Sequence, residues 1–332
     1  MALPPDACGL IVQNVADSRS TLVSLCTVSK QFKIAAERAL YNTLELSGHE
    51  RITQVSTVLA SNPRLAMLVV ALSVHGEDVD GTEEEEPEDS EEPPFEMWQS
   101  LCFALRRTTR LRFLNLYFQD GAQTDKAWIL HGVTFQLRTF HCDLTWSEHL
   151  AGFLSTQTRL SNLFLADFRD SLPSPPLTPS PDAMGRVPPI SGSSSQPPRP
   201  LPHLPTSPVF LPKLSVLECT FSEAAAALVP GRPVVRLKTC FTHSKPEQKR
   251  AELQVLLGAL RRSRRRLRAL DIADSAYTPD FTLELLGALT ADGTFCTDLR
   301  YVGTLVLPVD GHQVSQNVLS PAKRWLTKAP SV

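Results

Sequence analysis

Apolar residues in the first 46 positions recur at helical rather than strand spacing. Ala7, Leu10, Ile11 and Val15 fall on one stripe of a first helix that opens with Leu3-Pro4-Pro5-Asp6. Proline is tolerated there because the first-turn N–H has no helical partner, and an acid near the positive helix end is favourable. Asp17 or Ser18 can cap a second helix carrying Leu22, Leu25 and Cys26. Ser29 can cap a third, with Phe32, Ala35, Ala36, Ala39 and Leu40 facing inward. Helices this short are marginal alone, so the pattern predicts a small bundle whose helices need one another and a partner.

After Leu46 the pattern changes and repeats. The form L-x-x-x-x-R-L-x-x-L-x-(apolar) occurs as Leu59…Arg64-Leu65…Leu68…Val70, as Leu105…Arg110-Leu111…Leu114…Leu116, and as Leu154…Arg159-Leu160…Leu163…Leu165. Leu260…Leu267…Leu270…Ile272 repeats it with one extra residue. Leu137-x-x-Phe140-x-Cys142 and Leu214-x-x-Leu217-x-Cys219 carry its second half, and Leu299-x-x-Val302 can begin another. The string Leu-Leu-Gly-Ala-Leu stands at 256–260 and again at 285–289. The first Leu ends an amphipathic helix, as in Met97–Arg107, Glu148–Leu154 or Glu247–Arg262. The Arg sits at a turn, and the remainder is a strand whose alternate residues point inward. Such units stack through parallel strands, each burying its apolar face against the next. The spacing between copies is irregular, and no Asn or Cys ladder closes each turn. The chain therefore reads as α/β: a three-helix module over 1–46, then an irregular leucine-rich-repeat-like solenoid over 47–332.

Two insertions interrupt the array: an acidic loop, 76–94, and a Pro/Ser-rich loop, 171–209, in a stretch (171–212) with 14 of the chain's 27 prolines. Neither holds enough large apolar residues to offset the entropy of ordering its backbone, so both are expected to be disordered. Charge sharpens this division. No Lys or Arg occurs between Leu65 and Leu105, whereas twelve acids lie from Glu77 to Glu96. Without those twelve, 33 basic residues face 23 acidic ones, about +10, although the whole chain carries only −2.

At 332 residues the chain is long enough for about two domains. The cysteines (Cys8, Cys26, Cys102, Cys142, Cys219, Cys240, Cys296) are odd in number and scattered, mostly among apolar neighbours. That usage indicates core thiols in a reducing compartment, cytoplasmic or nuclear, rather than zinc or a disulfide framework. The N-terminus has no basic signal-peptide region, and the longest largely apolar run, Leu65–Val74, is about half of what a membrane-spanning helix needs. A membrane partner is not expected.

Leu3-Pro4-Pro5-Asp6, Leu10-Ile11, Leu22-Val23-Ser24-Leu25, Val28-Ser29-Lys30, Phe32 and Leu40-Tyr41 together resemble an F-box. The family pattern runs L-P-x-E, an Ile-led helix, L-x-x-L, then V-(S/C)-(K/R)-x-(W/F). Asp6 stands for the usual Glu and Phe32 for the more frequent Trp. The following region, beginning with the strand Leu44-x-Leu46, resembles the degenerate leucine-rich repeats of fungal F-box proteins. The resemblance implies docking on a Skp-family adaptor and, through it, a cullin. Leu3, Pro4, Asp6, Ile11, Leu22, Leu25, Val28 and Phe32 would supply the docking and core positions, with Leu3 and Pro4 at the exposed start best placed for contact.

Sequence motifs for catalysis are lacking: there is no phosphate-binding loop, dinucleotide fingerprint, nucleophile elbow or H-E-x-x-H pair. His141-Cys142-Asp143 contains a nucleophile-base pair by type, but alternation on a strand puts Cys142 opposite its neighbours and into the core. His131 and His149 have no ligand-spaced partner. No enzyme activity and no cofactor are expected. The cluster from Arg261 to Arg268 is either a solvated helix C-terminus or a nucleic-acid patch. Without interleaved aromatic residues, nucleic acid is the weaker reading.

The expected function is a substrate-recognition subunit of a Skp-cullin-F-box ubiquitin ligase, with the array binding a target protein. A scaffold outside ubiquitination, associated with nucleic acid through 261–268, is the alternative. The target surface would be the solvent-facing strand residues. In the first half these are Arg112, Asn115, Tyr117, Arg138, His141 and Asp143; further along they are Asn162, Phe164, Glu218, Arg268 and Asp271. Deleting 173–205 or 78–92 is expected to leave the thermal unfolding midpoint nearly unchanged, because neither segment supplies a repeat core. A large loss of cooperativity in calorimetry would make the deleted segment structural.

Overall fold

The computed structural model describes residues 3–76, 94–118, 125–166, 210–274, 278–291, 297–303, 305 and 306. The two expected disordered loops lie almost wholly outside these residues.

Pro5 occupies the first turn of α1 (Pro5–Asn14). The Ser18 hydroxyl accepts the Thr21 N–H at 3.4 Å to begin α2 (Arg19–Val28), and Ser29 accepts the Phe32 N–H at 3.2 Å to begin α3 (Lys30–Asn42). Cys8, Val12, Leu22, Phe32 and Ala36 form a core of their own, with Leu25, Cys26, Ala35, Ala39 and Leu40 packed against it. The inward stripe of α1 differs from the expected one. Cys8, Val12 and Val15 pack, whereas Leu10 and Ile11 are exposed. Two apolar stripes run along this helix, and the sequence alone does not say which one meets α3.

The module joins the rest through Tyr41, which packs on the main core, and through a forked pair from Arg64 to Glu37 at 2.6 and 3.1 Å. That guanidinium holds the Glu37 carboxyl below its usual pKa.

Among the described residues nine parallel strands then form one sheet in chain order. They are β1 (Thr43–Ser47), β2 (Ala71–His75), β3 (Phe113–Tyr117), β4 (Thr139–Cys142) and β5 (Asn162–Leu165). β6 (Val216–Cys219), β7 (Arg236–Cys240), β8 (Ala269–Ala273) and β9 (Tyr301–Val302) complete it. Between them run α4 (His49–Ser61), α5 (Pro63–Ala66), α6 (Phe95–Arg107), α7 (Glu148–Thr156), α8 (Ser222–Leu228), α9 (Pro246–Arg261) and α10 (Pro279–Ala291). Among the described residues between β3 and β4 stands a 3₁₀ turn, Ala127–Leu130.

Register aligns one buried apolar residue on each of β1 to β8, through Leu44, Leu72, Leu114, Phe140, Leu163, Leu217, Leu237 and Leu270. A second buried row passes through Leu46, Val74, Leu116, Cys142, Leu165 and Cys219. Both rows join the helices in one core, and the residues between them face outward. The repeated Leu-Leu-Gly-Ala-Leu string supplies buried leucines to α9 and again to α10.

The first sequence copy is misaligned by four residues. Asn62 accepts the Leu65 N–H at 3.4 Å and Pro63 follows it, so residues 63–66 make the helical turn α5 instead of entering a strand. β2 begins at Ala71, and Val69 takes the place that Leu111 holds in the next unit. β7 also escaped the pattern. Its inward residues are Leu237 and Thr239, the latter fully buried and accepting the Cys219 thiol at 3.5 Å.

Polar side chains sew adjacent units together. Buried Gln157 accepts the Leu137 N–H at 2.9 Å and donates to the Phe135 carbonyl at 3.3 Å, serving locally the role of the missing ladder. Arg232, 3% exposed, donates to the carbonyls of Phe210, Ala227, Leu228 and Pro230, and burial lowers its pKa to about 10. It thereby ties the end of α8 to the Phe210 backbone. Arg112, expected to face a target, donates to the Gln136 carbonyl at 2.9 Å and so ties its unit to the next.

Truncating Leu114 or Leu163, at most 2% exposed, to alanine is expected to cost about 2–5 kcal/mol. Asn162→Ala, whose side chain is half-buried on the outer face, should cost under about 0.5 kcal/mol. Arg112→Ala loses its carbonyl bond and should cost about 1 kcal/mol. Urea melts of the four variants are the check; an Asn162→Ala loss equal to that of Leu163→Ala would overturn the inward and outward assignment.

Candidate functional site

The outer face of the sheet arranges its side chains in rows, because parallel strands in register place equivalent residues side by side. The central row reads Glu45, Ser73, Asn115, His141, Phe164, Glu218, Lys238 and Asp271. Five of the expected target-contact residues (Asn115, His141, Phe164, Glu218 and Asp271) therefore come together there. Asn162 lies in the row before, between Thr139 and Val216. Tyr117 sits at the far end beside His75, ring centroids 6.4 Å apart.

Arg138 and Arg268 belong to a third row at the strand entrances. Backbone bonds continue the ladder through this row, from Arg138 to Arg112 (2.7 Å), from Arg268 to Val235 (2.8 Å) and from Arg300 to Arg268 (2.8 Å). Asp143 lies past the end of β4, where its carboxylate accepts the Phe118 N–H at 2.6 Å, a loop-closing role.

The first half of the face is aromatic. His141 lies edge-on between Phe113 and Phe164, 5.6 Å from each ring. Burial lowers its pKa, with the Glu218 carboxylate pulling the other way. Cys142, its neighbour, is 1% exposed on the opposite side, so the two do not meet as nucleophile and base.

The second half is charged. A groove of about 580 Å3 runs across β6 to β9, bordered by Glu218, Arg236, Lys238, Arg268, Asp271, Arg300 and Tyr301. Lys238 pairs with Glu218, which raises its pKa, and the Asp271 carboxylate adds to the effect. Asp271 packs so closely on Gly303 that any Cβ there would strike its carboxylate. Arg236, Lys238, Arg300 and Tyr301 were not singled out in the sequence. The signal was there in Val234-x-x-Leu237, but threonine in the next inward place broke the apolar pattern.

The N-terminal set divides by burial. Leu22 and Phe32 are core, Leu25 is half-buried, and Leu3, Pro4, Asp6, Ile11 and Val28 are exposed. The arginines 261, 262, 264, 265, 266 and 268 are exposed at the end of α9 and the turn beyond, with Arg266 near Asp298 at 3.6 Å. Among the described residues no three His, Cys, Asp or Glu side chains are placed to hold a metal ion, and no helix is long and apolar enough to cross a membrane. The sequence matches no protein-family model, and no curated protein matches it.

The pH response of the central row is testable. His141 is expected to titrate below the ordinary value of about 6.5 because its cation is desolvated. Stability from this group is present above that value and declines as pH falls below it, since the unfolded chain takes up the proton first. Glu218→Gln should move the midpoint lower still, by removing the carboxylate that favours the imidazolium. Imidazole NMR titration of both proteins reads this directly; an upward shift in Glu218→Gln would refute the placement.

Proposed function

We propose that the chain is a non-catalytic substrate-recruiting subunit of a Skp-cullin-F-box ubiquitin ligase, working in the cytoplasm or nucleus. In this reading residues 1–46 are an F-box that docks a Skp-family adaptor and, through it, a cullin. The strands after it are a leucine-rich-repeat-like solenoid whose outer face holds a target protein. Recruitment then acts by raising the local concentration of target lysines near the ubiquitin donor.

The observation that carries the reading is the surface of the N-terminal helices. Leu3, Leu10, Ile11, Val23, Val28 and Ile34 are all at least 40% exposed, and they are six of the thirteen large apolar side chains so exposed among the described residues. A module of 46 residues with a five-residue core gains little by leaving that many apolar groups in water, unless a partner covers them. The ordered helices and their Ser18 and Ser29 caps are compatible with the F-box resemblance, and the attached parallel array supplies a broad second surface.

The test is co-expression with a Skp-family adaptor and capture on it. Leu10→Asp with Ile11→Asp, and separately Leu3→Ala with Pro4→Ala, should each weaken capture by about tenfold or more. Both pairs are exposed, so thermal melts of the array should be unchanged. Capture at full yield by both double variants, or none by the parent chain, would overturn the reading.

A further inference from the structure

We infer that the groove across β6 to β9 is a docking site for an extended peptide rich in Asp and Glu, the target element read by the recognition surface proposed above. The inference rests on that reading for its biological sense but on separate residues for its chemistry. Arg268 and Arg300 are ladder neighbours, joined backbone to backbone at 2.8 Å, so two cations stand side by side at adjacent strand entrances. Arg236 pairs in register with Ala269, the residue after Arg268, and lines the same groove as a third cation. Like charges set directly opposite on neighbouring strands are unfavourable.

None of the three guanidiniums has a hydrogen-bond or ion-pair partner among the described residues. Lys238, two residues beyond Arg236 on β7, is already matched by Glu218 and Asp271. The groove thus has a satisfied inner part and an unsatisfied cationic rim. Guanidinium forks fit carboxylates in bidentate fashion, which makes carboxylates suited to that rim.

The inner part selects the kind of polyanion. Glu218, Lys238 and Asp271 line the same groove and offset one another, so the uncompensated positive charge is confined to the arginine rim and does not run the length that a continuous phosphodiester backbone would need. Tyr301, 54% exposed, is a single aromatic platform, too little for a run of stacked bases. A peptide meets both parts, because its side-chain carboxylates face the arginines while its backbone N–H groups face the two acids. Charge complementarity therefore favours an acidic peptide over a nucleic acid.

The experiment uses the full chain with a fluorescein-labelled decapeptide of alternating Glu and Ser, read by anisotropy. Comparison probes are the same peptide with Gln for Glu and a single-stranded thymidine oligonucleotide. The Glu peptide should bind and weaken with added salt, and the Gln peptide should not bind. The triple variant Arg236→Ala, Arg268→Ala, Arg300→Ala should lose about tenfold or more in affinity, and Arg300→Ala alone a smaller part, providing a readout if the triple variant is unfolded. Equal affinity of variants and parent overturns the site, as does an oligonucleotide that binds as tightly and displaces the peptide. A chain lacking 78–92 that binds at least about tenfold tighter would make the chain's own acidic segment the occupant, and also overturns it. Adaptor capture is measured on the same samples: lost peptide binding with capture intact rejects this inference alone, and lost capture with peptide binding intact rejects only the ligase reading.

Discussion

Most strands of the sheet have two inward apolar side chains that their own short unit cannot cover, and this need for neighbours organises the structure. Leu114 and Leu116 are both fully buried, yet β3 is only five residues long. Cover comes from β2 and β4 in register on either side and from the helices on the inner face. Parallel pairing in chain order follows, because each connection must return the chain to the same end before the next strand. Polar bonds act within that geometry, as when Gln157 and Arg112 close gaps between successive units.

The same register that stacks the leucines also sorts the outer side chains into rows, and that sorting creates the chemistry of the face. His141 meets Phe113 and Phe164 because neighbouring strands carry them at matching or diagonal places. Arg268 and Arg300 become backbone neighbours for the same reason, although 32 positions separate them in the chain. Opposite charges meet as well, since Glu218 and Lys238 are register partners. The face is therefore divided into an aromatic half and a charged half by strand position, with no dedicated binding loop required among the described residues.

The N-terminal helices obey a different balance. Their core of Cys8, Val12, Leu22, Phe32 and Ala36 is small, and apolar side chains remain on the outside. The module is fixed to the array by Tyr41 and by the Arg64–Glu37 fork, so its exposed face and the sheet's outer face belong to one chain but are built from separate cores.

Much of this was legible along the chain because period and capping are local properties. Three short helices, two of them with serine caps, the α/β class, the helices near 97–107, 148–154 and 247–262, and the inward place of Cys142 all follow from nearest-neighbour spacing. Where two local solutions were equally good, only tertiary contact decided. On α1 the stripe of Cys8 and Val12 packed and that of Leu10 and Ile11 did not, because α3 presents Phe32 and Ala36 to one side only. At Leu65 a leucine in the right place became part of a helical turn, because Asn62 and Pro63 cap it and the strand forms four residues later, opposite Leu114. β7 hid behind Thr239, an inward polar residue tolerated because the Cys219 thiol reaches its hydroxyl. The cationic rim was the least legible feature. Arg236 opens β7, whereas Arg268 and Arg300 stand at the entrances of β8 and β9, and their grouping depends on a pairing register that no local pattern encodes.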